Sequence, residues 1–323
     1  MNQSNEQSVF HVRSSRAVII NGYKLYMNNF RTIFRHTWPF AIVYSIVIAM
    51  MMYAFLHSLP QLMAATKLAQ QGVMTNDMRT IQAFMYPCMF VIMLINILLT
   101  SPVFKLFAEY QQSGVIAAPT KWYRVGDWPM MLRMVRLLLW FILLEIIVSM
   151  AIGIIFGIGA VLLMATGIKM GNAMITIGVA CILLSIIFMA MLLPLIYTTY
   201  KYLLTPDSKF VNVLTSTYAV GLRHWGSLFL VMLMVAIINA IISTVIMLPY
   251  NILTAAITTS LAGVANGDPI GMPDYMGWMS FIVFCLAGFV LAYLTLSNIF
   301  PFYYLYGSIE KQEEERRELS IAK

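Results

Sequence analysis

Hydrophobic positions along this chain fall into runs of about 20 residues, the length an α-helix needs to cross a bilayer. Six such runs are placed near 38–57, 82–104, 135–163, 173–198, 226–249 and 278–300. The third is the longest, because Met130 to Ile168 is apolar for nearly twice a span. Thr166 to Asn172 has the composition of a tight turn, so the run is assigned as one long tilted helix rather than two short ones. Ahead of the first run the pattern changes to an amphipathic helix from Arg16. Lys24, Asn28, Arg31 and Arg35 share one face; Ile19, Tyr23, Tyr26, Phe30 and Ile33 share the other. The spacing predicts a surface helix with its apolar face in the bilayer and its basic face on lipid phosphate. Trp38-Pro39 is expected to turn the chain into the first span.

A similar unit returns later. Leu222-Arg-His-Trp225 matches Phe34-Arg-His-Thr-Trp38, and aligning Arg35 with Arg223 keeps both faces in register over three turns. A middle copy, Lys121 to Arg136, is interrupted by Gly126-Asp-Trp-Pro129. Pro102, Pro194 and Pro301 each precede an aromatic cluster where a span returns. The chain is therefore predicted to be all-α and polytopic, with six transmembrane helices in three repeats of interfacial amphipathic helix plus two spans. Its expected parts are a tail (1–15), repeats at 16–110, 111–204 and 205–307, and a charged tail (308–323), with polar outer loops at 58–81 and 251–277. In the tail, Glu313 and Arg317 are expected to support one another along the helix, and 310–318 is expected to be solvated.

Composition strengthens this picture. Of 323 residues 61% are hydrophobic and 10% charged, with a mean hydropathy of +0.82, against roughly 25% charged in soluble domains. The segments between spans are too short for an independent soluble core, and the polar, basic start predicts no signal peptide. The net charge of +7 would suit nucleic acid, but its placement suits membrane phospholipid. Lys and Arg crowd the N-terminal segment, the connections between spans two and three and between spans four and five, and the C-terminal tail. Of all 20, only Lys67, Arg79 and Lys169 fall on the other side. The positive-inside rule then puts both termini in the cytoplasm.

Candidate chemistry is sparse. Glu145 is the sole carboxylate well inside a span, about 13 Å along the helix from Arg136. It is either a coupling group for protons or cations, or a structural carboxyl hydrogen-bonded to Asn96, Asn239, Ser149 or Ser185. His11, His36, His57 and His224 are scattered, and Cys88, Cys181 and Cys285 lie singly in apolar runs, so no metal or cofactor is expected. No nucleophile has a base at matching depth, and there is no phosphate-binding glycine loop, so no catalytic residue is assigned. Gly153-Ile-Ile-Phe-Gly157 predicts close helix packing within the chain. The 26 methionines suit packing or a plastic hydrophobic pocket.

The repeated pattern, with its exits at Pro102, Pro194 and Pro301, resembles bacterial six-span membrane proteins related to the membrane domain fused to some glycerophosphoryl diester phosphodiesterases. The resemblance covers Arg16 to about Tyr306, and the soluble phosphodiesterase barrel is absent, so it implies no hydrolase activity. What it implies is a bacterial cytoplasmic-membrane location and a lipid-related role. The leading expectation is a non-enzymatic membrane protein that engages anionic lipid through Lys24, Arg31, Arg35, Arg124 and Arg223. The alternatives are a small-solute or ion transporter using Glu145 with Asn96 or Asn239, and a scaffold for a membrane protein partner.

Overall fold

The structure is a computed structural model that describes residues 9–70, 77–114, 116, 128–165, 170–206, 208–265, 273 and 275–322. Among the described residues there are ten α-helices and no strand. They are α1 (Ser15–Asn28), α2 (Phe30–Gln70), α3 (Asp77–Ser113), α4 (Trp128–Ala165) and α5 (Met170–Leu192). Then follow α6 (Pro194–Leu204), α7 (Phe210–Arg223), α8 (Trp225–Ile246), α9 (Leu248–Ala265) and α10 (Tyr275–Ile321). Six stretches are long and apolar enough to cross a membrane: Phe30–Leu56, Met85–Ser113, Trp128–Leu162, Thr176–Leu204, Trp225–Ile246 and Tyr275–Ile321. The chain is a multi-pass membrane protein, and its third span is the single long helix expected.

The first helix boundary differs from expectation. Trp38-Pro39 does not turn the chain, because α2 runs through it. A proline in an apolar helix removes one backbone bond without forcing an exit. The break comes at Asn29, whose Nδ2 donates to the Leu25 carbonyl at 2.9 Å while its backbone N–H is shared between Leu25 and Tyr26. The helix resumes when Ile33 N–H donates to the Asn29 carbonyl. A side chain competing locally for backbone groups is what ends α1. Consequently Arg35 and His36 lie inside α2, whereas Arg223 and His224 sit at the break between α7 and α8, so the two pairs are not equivalent junctions.

Much of the expected outer loops is helical. α2 continues to Gln70, α3 starts at Asp77, and α9 occupies 248–265. Good helix formers (Leu, Met, Ala, Lys, Gln) dominate the first stretch. In α9 Thr258 returns its hydroxyl to the Thr254 carbonyl at 2.9 Å, so the hydroxyl needs no water. The expected turn at 166–172 lies mostly outside the described residues, as do Arg124 and the rest of 121–127 in the middle interfacial copy.

The chain divides into two compact units. One comprises Ile19–Asp127 and Leu233–Pro301. Within it α2 packs on α3, and α9 packs on α2. Its core includes Ala49, Leu56, Ile257 and Phe284. At another place in this unit Gly22 of α1 lies directly on Pro301 of α10. The other unit comprises Met1–Val18, Trp128–Met232 and Phe302–Lys323. There α4 packs on α5, α6 packs on α7, and Gly221 of α7 meets Pro194 of α6. The N-terminal tail is partly docked in this unit: Val9 covers Gly307, and the Arg13 backbone N–H donates to Ser308 Oγ at 3.0 Å.

Candidate functional site

In the unit that holds α2, the basic residues Lys24, Arg31 and Arg35 are all exposed. Each has no hydrogen-bond or ion-pair partner among the described residues. Phe30, Phe34 and Trp38 are exposed beside them. The opposite face of α1 is not free to enter a bilayer, contrary to expectation. Ile19, Tyr26 and Ile33 are buried, with Tyr26 Oη donating to the Tyr293 carbonyl at 3.1 Å. The Tyr26 ring meets Phe300 edge-on, with centroids 5.2 Å apart, and Phe34 stacks on Tyr293 at 5.4 Å. Aromatic contacts with α10 therefore cover Tyr26 and one side of Phe30 and Phe34, while the cations stand exposed on the other face.

In the other unit, Arg223 is exposed but committed. Its Nη1 donates to both carboxylate oxygens of Glu313, at 2.9 and 3.0 Å. His224 Nε2 lies 3.0 Å from the same carboxylate, and Arg316 lies 3.9 Å away. One turn earlier on α10, Glu310 accepts from Lys201 Nζ at 2.7 Å and from Tyr197 Oη. Arg223 is thus part of a clamp on the C-terminal segment rather than a free lipid ligand. Glu313 takes partners from the α7–α8 break instead of the expected Arg317, and the packed part of 310–318 ends with it. Residues 314–321 are exposed. Sequence spacing gave no sign of this clamp, since the partners are about 90 residues apart.

Glu145 lies on α4 and lines a cavity of about 680 Å³ with Ser149, Ser185, Thr199 and Tyr200 among otherwise apolar side chains. Its carboxylate has no hydrogen-bond partner among the described residues. Ser185 spends its hydroxyl on the Cys181 carbonyl at 2.8 Å. Asn96 and Asn239 belong to the other unit and are half-buried. Asn96 Nδ2 donates to the Ile92 carbonyl of its own helix at 3.0 Å.

Arg133, counted in the sequence only as a cytoplasmic charge, has a definite task. Its Nη2 donates to the carbonyls of Tyr202 and Thr205, the latter at 2.6 Å, and to Ser208 Oγ at 3.0 Å. Its guanidinium also sits 4.7 Å from the centre of the Tyr202 ring. A cation here satisfies carbonyls left open at the C-terminus of α6.

Among the described residues, a Cβ added at Gly153 or Gly157 would meet nothing within 4 Å, so the expected close packing is not found there. His36 Nδ1 contacts the Thr32 carbonyl at 2.7 Å. Cys88, Cys181 and Cys285 are free thiols, and no group of three or more metal-ligating residues occurs among the described residues. The chain matches no protein-family model, no curated protein and no solved structure.

Proposed function

We propose that this is a non-enzymatic protein of the bacterial cytoplasmic membrane that engages anionic phospholipid, with both termini inside. The observation that carries the reading is the group Lys24, Arg31 and Arg35, exposed and without carboxylate partners among the described residues, beside exposed Phe34 and Trp38. Each cation near an anionic surface contributes about 1 kcal/mol, and aromatic rings favour the same depth. The lopsided Lys and Arg placement supports the orientation.

A repeated plan is supported by two further likenesses. α1 and α7 are both 14 residues long, and each ends at a one-residue break before a span. Each also carries a glycine against the proline of a returning span. The proposed repeat runs in that register rather than through Arg35 and Arg223.

The test is native mass spectrometry of the full chain in mild detergent with added phosphatidylglycerol. Replacing Lys24, Arg31 and Arg35 together by Gln is expected to lower retained lipid about tenfold or more; unchanged retention sinks the reading. One observation favours a second reading, a cation-coupled transporter: Glu145, whose carboxylate has no hydrogen-bond partner among the described residues, lines a cavity with four hydroxyl-bearing neighbours. Cation flux in proteoliposomes that survives Glu145→Gln unaltered would remove that role.

A further inference from the structure

We propose that a second cavity, in the unit formed by α4, α6 and α7, binds a phosphate anion of the kind carried by a lipid headgroup. The proposal extends the lipid-engaging reading but rests on different residues, in a different unit from Lys24, Arg31 and Arg35. The cavity measures about 680 Å³, large enough for a phosphodiester headgroup. Arg133, Arg136 and Lys209 line it together with Trp128, Trp140 and Phe210.

The three cations have different roles. All of Arg133's hydrogen bonds come from Nη2, so Nη1 and Nε have no partner among the described residues. The Tyr202 ring and the α6 carbonyls hold this guanidinium in place, so a ligand meets a charge already ordered. Arg136 and Lys209 are exposed and have no carboxylate partner among the described residues. A chain with 13 carboxylates could have paired them, as Glu310 pairs Lys201 and Glu313 pairs Arg223. Asp127 and Asp207 neighbour lining residues in sequence but lie outside the described residues, and three cations outnumber them.

The walls point to an interfacial ligand. Trp140 and Phe210 lie with ring centroids 5.7 Å apart, and Trp128 is well exposed. Trp beside cations at the end of a span is the composition of the headgroup layer. A planar guanidinium matches the oxygens of a phosphate bidentately. The cavity therefore offers one hydrogen-bonded and two exposed cations to an anion, with aromatic walls for the glycerol or acyl part that follows it.

The experiment titrates the full chain with phosphatidylglycerol and follows bound lipid by native mass spectrometry, with inorganic phosphate as competitor. The double variant R136Q/K209Q is expected to weaken one bound lipid about tenfold or more, and the charge-keeping R136K/K209R to restore most of it. Both residues are exposed, so the variants should fold normally. Displacement by millimolar phosphate would show that free phosphate is also a ligand; resistance to it would assign the site to the lipid. Lipid affinity unchanged in R136Q/K209Q overturns the proposal. Loss in that variant, with full retention after neutralising Lys24, Arg31 and Arg35, would keep this site and discard the other.

Discussion

A Cβ placed on Gly22 would lie 2.5 Å from the backbone nitrogen of Pro301. Pro301 has no N–H, so its helix offers a smooth surface there, and Gly22 lets the α1 backbone settle onto it. Gly221 makes the corresponding approach to Pro194, where an added Cβ would come within 2.8 Å of the proline ring. Gly226 has open space around it.

Gly22→Ala and Gly221→Ala should therefore destabilise despite alanine's better helix propensity. Overpacking costs about 1–3 kcal/mol, whereas the propensity gain is at most about 1 kcal/mol. Thermal melts in one detergent should place both below wild type, with Gly226→Ala at or above it. Equal midpoints for all three would refute the close packing.

Glu313→Gln removes the negative charge and one of the two acceptor oxygens shared by Arg223 and His224. Arg223 is nearly half exposed, so screening limits the loss to about 1–2 kcal/mol. The expected result is faster amide exchange over 305–321 and quicker tryptic cleavage after Arg316 and Arg317. Glu315→Gln, on the exposed side, should change neither.

Asn29→Ala deletes the amide that holds the Leu25 carbonyl. The break between α1 and α2 should then relax toward continuous helix, at a cost of about 1 kcal/mol from the lost bond. Spin labels on Lys24 and Arg35 would report this as a changed distance distribution. An unaltered distribution would mean that packing of Tyr26 and Ile33, not Asn29, sets the break.

Glu145→Gln should leave the stability within about 0.5 kcal/mol of wild type, because no described group depends on the carboxylate. A large shift in either direction would reveal a structural role.

How much of this was legible in the sequence depends on whether the cause was local. A span announces itself through the composition of one continuous run, so all six were found. The break at Asn29 was missed because Trp38-Pro39 is the louder signal, although proline has little power to end a helix that has no water to escape to. Lys67, Asp77 and Arg79 in 58–81, and the Thr, Gly, Pro and Asn of 251–277, suggested loops, but helix continues through much of both stretches, and Ser58 and Thr258 return their hydroxyls to carbonyls of their own helices. Lys24, Arg31 and Arg35 were placed by helical periodicity and are exposed as expected. The pairing of Arg223 with Glu313, and the gathering of Arg136 with Lys209, depend on tertiary approach between distant segments. No spacing rule encodes either.

Trp128–Leu162 has none of its most apolar stretch buried within the protein. At 35 residues it measures about 52 Å, well beyond a hydrocarbon layer of about 30 Å. It packs on α5 and is tied near its start to the end of α6 through Arg133, while its most apolar stretch stays open to acyl chains. A span longer than the hydrocarbon layer has to tilt or extend past it, so this helix meets the mismatch between protein length and bilayer thickness along a face that lipid, not protein, covers.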